Sequence, residues 1–112
     1  MGRIIYTERN NVSVILSSSD RPKITSEDPL KGDSEELAAA FNTFDAYSGE
    51  YAIDEESQSI IHTIHIARFP NWINTQQTRY YHLSDNQLTL KTPPIKSLDN
   101  EWIATLIWSR EE

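Results

Sequence analysis

The chain has 112 residues, a length that points to one domain spanning 1–112 with one hydrophobic core. Its 10 Lys and Arg against 17 Asp and Glu leave a net charge of −7, and so acidic a surface repels phosphate backbones, which excludes nucleic acid as a partner. The absence of cysteine removes disulfides and thiolate metal sites, no run reaches the roughly 18–20 apolar residues of a membrane span, and the opening MGRIIYTERN lacks the apolar stretch of a signal peptide; the cytoplasm is the expected compartment.

Residues 3–8 and 12–17 are β-branched runs separated by Arg9, Asn10 and Asn11. The asparagines tolerate the positive φ of a tight turn, so the two runs are expected to pair as an antiparallel hairpin of ordinary core strands. Residues 18–32 are polar and interrupted by Pro22, Pro29 and Gly32, and read as a long loop that either covers one barrel mouth or moves freely. Asp33 followed by Glu36 is a capping-box pattern, and Leu37, Ala40, Phe41 and Phe44 recur at helical spacing. The spacing predicts a short helix over 34–43 whose apolar stripe plugs a barrel end or packs on the outer wall.

Tyr47, Gly49, Tyr51 and Ile53 alternate with polar neighbours, which predicts a strand with two tyrosines on one face, turned back by the acidic residues 54–57. In the next run Ile60, His62, Ile64 and Ile66 share a face, because side chains alternate along a strand. Phe69, Pro70, Asn71 and Trp72 form a bend, since proline cannot donate to a sheet ladder. Gln77, Arg79, Tyr81 and Leu83 line one face of the following strand, and Leu88, Leu90 and Thr92 one face of the strand after the compact turn at 84–86. Pro93 and Pro94 end it. Residues 101–110 alternate Trp102, Ala104, Leu106 and Trp108 with Ile103, Thr105 and Ile107, so this strand is expected to be covered on both sides. The pattern is mainly β, an antiparallel up-and-down barrel of about 7–8 strands with one short helix.

Several passages in matching order carry a resemblance: Asp20-Arg21-Pro22, the tyrosines around Gly49, His62 followed by Phe69-Pro70-Asn71-Trp72, Arg79, Leu88-Thr89-Leu90 with its following Thr-Pro-Pro, and Trp108-Ser109-Arg110. Together they cover nearly the whole chain, which resembles the bacterial and fungal lipocalin-like domain family. The resemblance implies a calycin-type β-barrel with an internal cavity; some relatives sit in secondary-metabolite pathways. Asn74 stands where the family usually has glycine, and asparagine still reaches the left-handed region. The family's additional first strand, with its glycine-x-tryptophan pattern, has no counterpart before Met1. That leaves an open sheet edge, so a homodimer is expected, and Arg110, which would otherwise lie over the first-strand tryptophan, needs another partner.

The inward pattern gathers Tyr47, Tyr51, His62, Ile64, Trp72, Arg79 and Tyr81 as candidate ligand-binding residues. A mostly apolar wall carrying an imidazole, a guanidinium and phenols suits a small hydrophobic molecule with a polar or anionic group at one end. The same groups suit a second reading, a cofactor-independent cyclase or isomerase of a polyketide-like molecule with His62 as general base and Arg79 holding an enolate oxygen. A third reading is a protein-interaction module working through the open sheet edge. Phe69 and Trp72 either anchor the bend or gate the cavity. His62 and His65 fall on opposite strand faces, so no metal and no cofactor are expected.

Overall fold

The computed structural model describes residues 1–97 and 99–111. Its strands are β1 (Gly2–Tyr6), β2 (Asn11–Ser17), β3 (Phe44–Asp54), β4 (Ser59–Ala67), β5 (Gln76–Ser84), β6 (Gln87–Lys91), β7 (Ile95–Ser97), β8 (Asn100–Trp102) and β9 (Thr105–Ser109). One helix, α1 (Ser34–Asn42), precedes β3, and a 3₁₀ turn (Pro70–Trp72) precedes β5. Seven strands form one antiparallel sheet in the order β1-β2-β3-β4-β5-β6-β9, a meander that curls into a nearly closed barrel, while β7 and β8 make a separate hairpin. This is the mainly β, antiparallel barrel that the alternation predicts, and it agrees with the lipocalin-like barrel that the resemblance implies.

The turns follow from residues that accept a left-handed backbone. Asn10 at φ 65° turns β1 into β2, Asp85 at φ 51° turns β5 into β6, and Asn74 at φ 64° reconnects the 3₁₀ turn to β5. Asn74 also donates its backbone N–H to Ile64 O at 2.8 Å, which ties the bend to the centre of β4.

The shared face on β4 holds through Ile64 and then breaks. Ser48 pairs with Ile66 and Gly49 with Ile64, so His65 is an extra residue, a β-bulge. Beyond it the alternation is reversed, and Ile66 is turned outward and 71% exposed. Gly49 is what permits this. A Cβ there would lie 1.9 Å from Thr63 O, so only glycine lets β3 pass the bulged strand.

The helix forms as its cap predicts, with the Asp33 carboxylate accepting the Glu36 N–H at 2.8 Å. Its burial is different from the expectation. No helical residue is buried, and Leu37 and Phe41 are 40% and 44% exposed, so the stripe does not plug a barrel end. Charged side chains fasten it instead. Arg21 donates to Ala40 O at 2.9 Å and Arg68 donates to Phe41 O, while the Arg68 guanidinium lies 4.0 Å from the Phe41 ring centroid. The last turn of α1 has no basic residue of its own, so these two arginines supply the cations that a helix C-terminus favours. Glu36 does not close the capping box on Asp33; its carboxylate accepts from Thr25 N and Thr25 Oγ1, both at 2.9 Å, which pins the 18–32 loop to the helix.

The final segment also departs from the expected single strand. Residues 100–102 pair with β7, the ladder stops at Ile103 and Ala104, and 105–109 join β6. Of β9 only Trp108 is half-buried, and Ile107 on the opposite face is 64% exposed, so the two-sided covering is not observed.

Candidate functional site

The core of the barrel is built from Val12, Val14, Tyr47 and Ile64, with Ile4, Tyr6, Leu16, Tyr51, Ala67, Trp72 and Trp108 packed against them. His62 stands among these apolar groups with its ring fully buried, 0% exposed. Two phenols hold it. Tyr6 Oη lies 2.8 Å from His62 Nε2 and Tyr47 Oη 2.6 Å from Nδ1, so both ring nitrogens are engaged. The register explains the meeting: β1 faces β2, β2 sets Val14 opposite Tyr47, and β3 brings Tyr51 opposite His62. A buried imidazole needs such partners, since an unmade hydrogen bond costs about 1–3 kcal/mol.

Arg79 completes the cluster. On β5 it pairs with Ile60, two residues from His62, which places it on the same sheet face as the imidazole. Its guanidinium donates to Thr78 O at 3.0 Å, and its positive charge lowers the energy of a phenolate on Tyr47. Burial dominates all the same, and pushes the Tyr6 and Tyr47 phenols above their ordinary range. Burial first, and the Arg79 charge second, lower the His62 pKa to about 4. The imidazole is therefore neutral near pH 7, and with both nitrogens occupied it offers no free lone pair to a reacting molecule in this arrangement.

The other sequence candidates fall around this centre. Tyr51 packs edge-on to Tyr6 at 4.8 Å between centroids and donates its hydroxyl to Thr7 O at 2.9 Å. Trp72 meets Tyr47 edge-on at 6.0 Å and Phe69 at 5.7 Å, so it braces the tyrosine from the 3₁₀ turn. Ile64 lies at the bottom of the core, and Tyr81 sits half-buried on β5 opposite Leu90. His65 is exposed on the outer side, 3.9 Å from the Glu50 carboxylate. Among the described residues no three of His, Asp and Glu come together as metal ligands, and no helix is long and apolar enough to cross a membrane.

The open space lies elsewhere. A cleft of about 660 Å³ runs along the seam between the free edges of β1 and β9, walled by Ile4, Tyr6, Leu88 and Trp108 and rimmed by Arg3 and Arg110. None of the seven sequence candidates is in its wall. His62 and Ile64 are fully buried, Arg79 is half-buried, and this cleft lies to the side where the sheet fails to close.

A family model described as a lipocalin-like domain matches residues 1–111. The chain belongs to the lipocalin-like domain family. It is 32% identical over 77 residues to the 4'-hydroxy-3'-methoxypropiophenone carrier protein ppsC of Aspergillus oryzae, an alignment that covers 63% of this chain and 69% of the relative. No solved structure matches it.

Within this lipocalin-like barrel Tyr6 is the residue that sequence reasoning missed. It belongs both to the cleft wall and to the His62 network, and so joins the packed centre to the open seam. One signal was available: Tyr6 and Ile4 share a face, so a phenol stands at the end of an inward-facing row. Trp108 was visible as an inward aromatic, but not as the group that spans the seam, where its ring reaches to 3.1 Å from a Cβ built on Gly2.

Proposed function

We propose that this lipocalin-like chain carries a small, mainly apolar molecule bearing one polar group, seated in the seam cleft with that group toward Tyr6. The cleft carries this reading: its volume of about 660 Å³ is in the usual range for small-molecule sites, and its wall is aliphatic and aromatic with a few polar groups. The name of the Aspergillus relative, a carrier of a substituted propiophenone, supports a flat aromatic cargo with a carbonyl group. In this reading Tyr47, His62 and Arg79 act on the cargo through Tyr6, while Tyr51, Ile64, Trp72 and Tyr81 shape the wall behind it. The alternative reading, proton abstraction by His62, lacks support from a free ring nitrogen.

Titration with N-phenylnaphthylamine, an uncharged fluorescent probe, tests carriage. The wild-type chain is expected to bind it with a blue-shifted emission, and Leu88→Arg in the cleft wall to weaken it at least about tenfold with an unchanged circular dichroism spectrum. Equal binding by the variant would place the probe outside the cleft and overturn the reading. We further propose that the protein works in the cytoplasm as a homodimer joined at its open sheet edge.

A further inference from the structure

We propose that the indole N–H of Trp108 is a second recognition point in the seam cleft, the donor for a neutral oxygen at the end of the carried molecule remote from Tyr6. The inference goes beyond the carrier reading, since it gives the cargo a polar group at each end, and it rests on that reading. It starts from the polar atoms that the fold leaves over. Among the described residues three buried side-chain nitrogen or oxygen atoms make no hydrogen bond: Asp45 Oδ1, Arg68 Nε and Trp108 Nε1. The first two face each other as an ion pair at 3.4 Å, which leaves Trp108. An indole nitrogen only donates, so its role depends on no tautomer. A buried donor without an acceptor is a cost that folds rarely retain.

The place of Trp108 in the fold says what takes that proton. It lines the cleft, and its ring crosses the seam to Gly2, where a built Cβ would lie 3.1 Å from Cη2. No ladder joins β1 to β9, and the Arg3–Glu111 pair beside the ring is exposed and therefore weak. A guest can thus part the seam and bring an acceptor to the N–H that the ring's seat hides from solvent. Tyr6 lies four residues further along β1, about 13 Å from Gly2, so the two groups read different ends of a guest. The rim speaks for an uncharged acceptor. Arg3 and Arg110 are balanced by Asp85 and Glu111, two cations against two anions, in a chain of net charge −7, so the cleft offers an anion no net attraction.

The test compares two uncharged probes of similar shape by calorimetric titration. One is 1,4-diacetylbenzene, which presents a carbonyl oxygen at whichever end meets Trp108; the other is 4'-isopropylacetophenone, in which a methyl group replaces one of those oxygens. Trp108→Phe keeps a ring in the seam and removes the N–H. It is expected to lower the affinity ratio of diketone to isopropyl analogue about tenfold, the size of one lost hydrogen bond to a buried donor. A tryptophan that only packs would weaken both probes together, and a ratio unchanged in Trp108→Phe overturns the assignment. The wild-type chain gives a second readout that needs no variant. The Trp108 indole signal, one of three in the chain, should move further downfield in nitrogen–proton correlation spectra with the diketone than with the isopropyl analogue. Equal positions with both probes overturn the assignment as well. If neither ketone binds while N-phenylnaphthylamine does, this inference falls and carriage stands; if all three fail, carriage falls too.

Discussion

His62 ties the stability of the barrel to pH. Its folded pKa of about 4 lies below the ordinary 6.5, so between these values the unfolded chain binds the proton that the folded chain refuses. Stability is therefore fully present above about pH 6.5 and is lost as the pH falls toward 4. The loss is on the order of 2–3 kcal/mol between pH 7 and about pH 4.5. Urea midpoints at the two pH values should show it, and His62→Phe should flatten the dependence, although that variant is less stable at pH 7 for want of a partner for two phenols. Gly49 is a second sensitive position, because a methyl group there meets backbone that cannot rotate away. Gly49→Ala is expected to cost about 3 kcal/mol, read as a fall in Tm of about 10 °C or more; an unchanged Tm would mean that the bulge is not held. At this scale His62, Tyr47 and Arg79 were legible because strand alternation alone puts them on one face. Tyr6 was not, since a tyrosine closing a five-residue β-branched strand looks like any core residue until its partner is known.

The helix shows what charged groups do when an apolar stripe finds no cover. Leu37 and Phe41 remain partly in solvent, so α1 depends on Arg68, which bonds the Phe41 carbonyl and lies 3.4 Å from the Asp45 carboxylate at the start of β3. Arg68→Ala should destabilise the helix by about 1–2 kcal/mol, since it removes a charge-assisted bond and a cation–π contact together. Hydrogen exchange locates the effect: protection over 34–42 should fall, and protection over β2, β3 and β4 should hold. A uniform fall across the sheet would show that the helix is integral to the barrel. The start of α1 was readable from Asp33, because capping is local. Its exposure was not, because periodicity tells which residues share a face and never what packs against it. The bulge at His65 and the break at Ile103–Ala104 were hidden for a related reason: the alternation of Trp102, Ala104, Leu106 and Trp108 continues without interruption while the strand's partner changes from β7 to β6.

At the scale of the whole molecule the decisive number is seven. In an antiparallel meander of seven strands the first and last run in the same direction, so β1 and β9 cannot close the barrel with an antiparallel ladder. Side chains bridge the gap instead: the Trp108 ring against Gly2, and an exposed Arg3–Glu111 pair at 3.4 Å, which in solvent contributes at most about 1 kcal/mol. The cleft is the consequence of this parity, and so is the open edge of β9. Residues 104–109 carry no charge, no proline and no bulge, the usual devices that discourage edge pairing. Two chains of net charge −7 repel one another, yet they can meet along this neutral strand, and antiparallel pairing of β9 with its own copy satisfies both edges by one two-fold operation. Light scattering should accordingly give a mass of two chains, with association strengthened by salt as the repulsion is screened. Ile107 is 64% exposed, so Ile107→Lys places a charge on the strand without disturbing the core and should return the mass to one chain. A wild-type mass of one chain at about 100 µM, with or without salt, would leave the β9 edge to solvent and remove the homodimer.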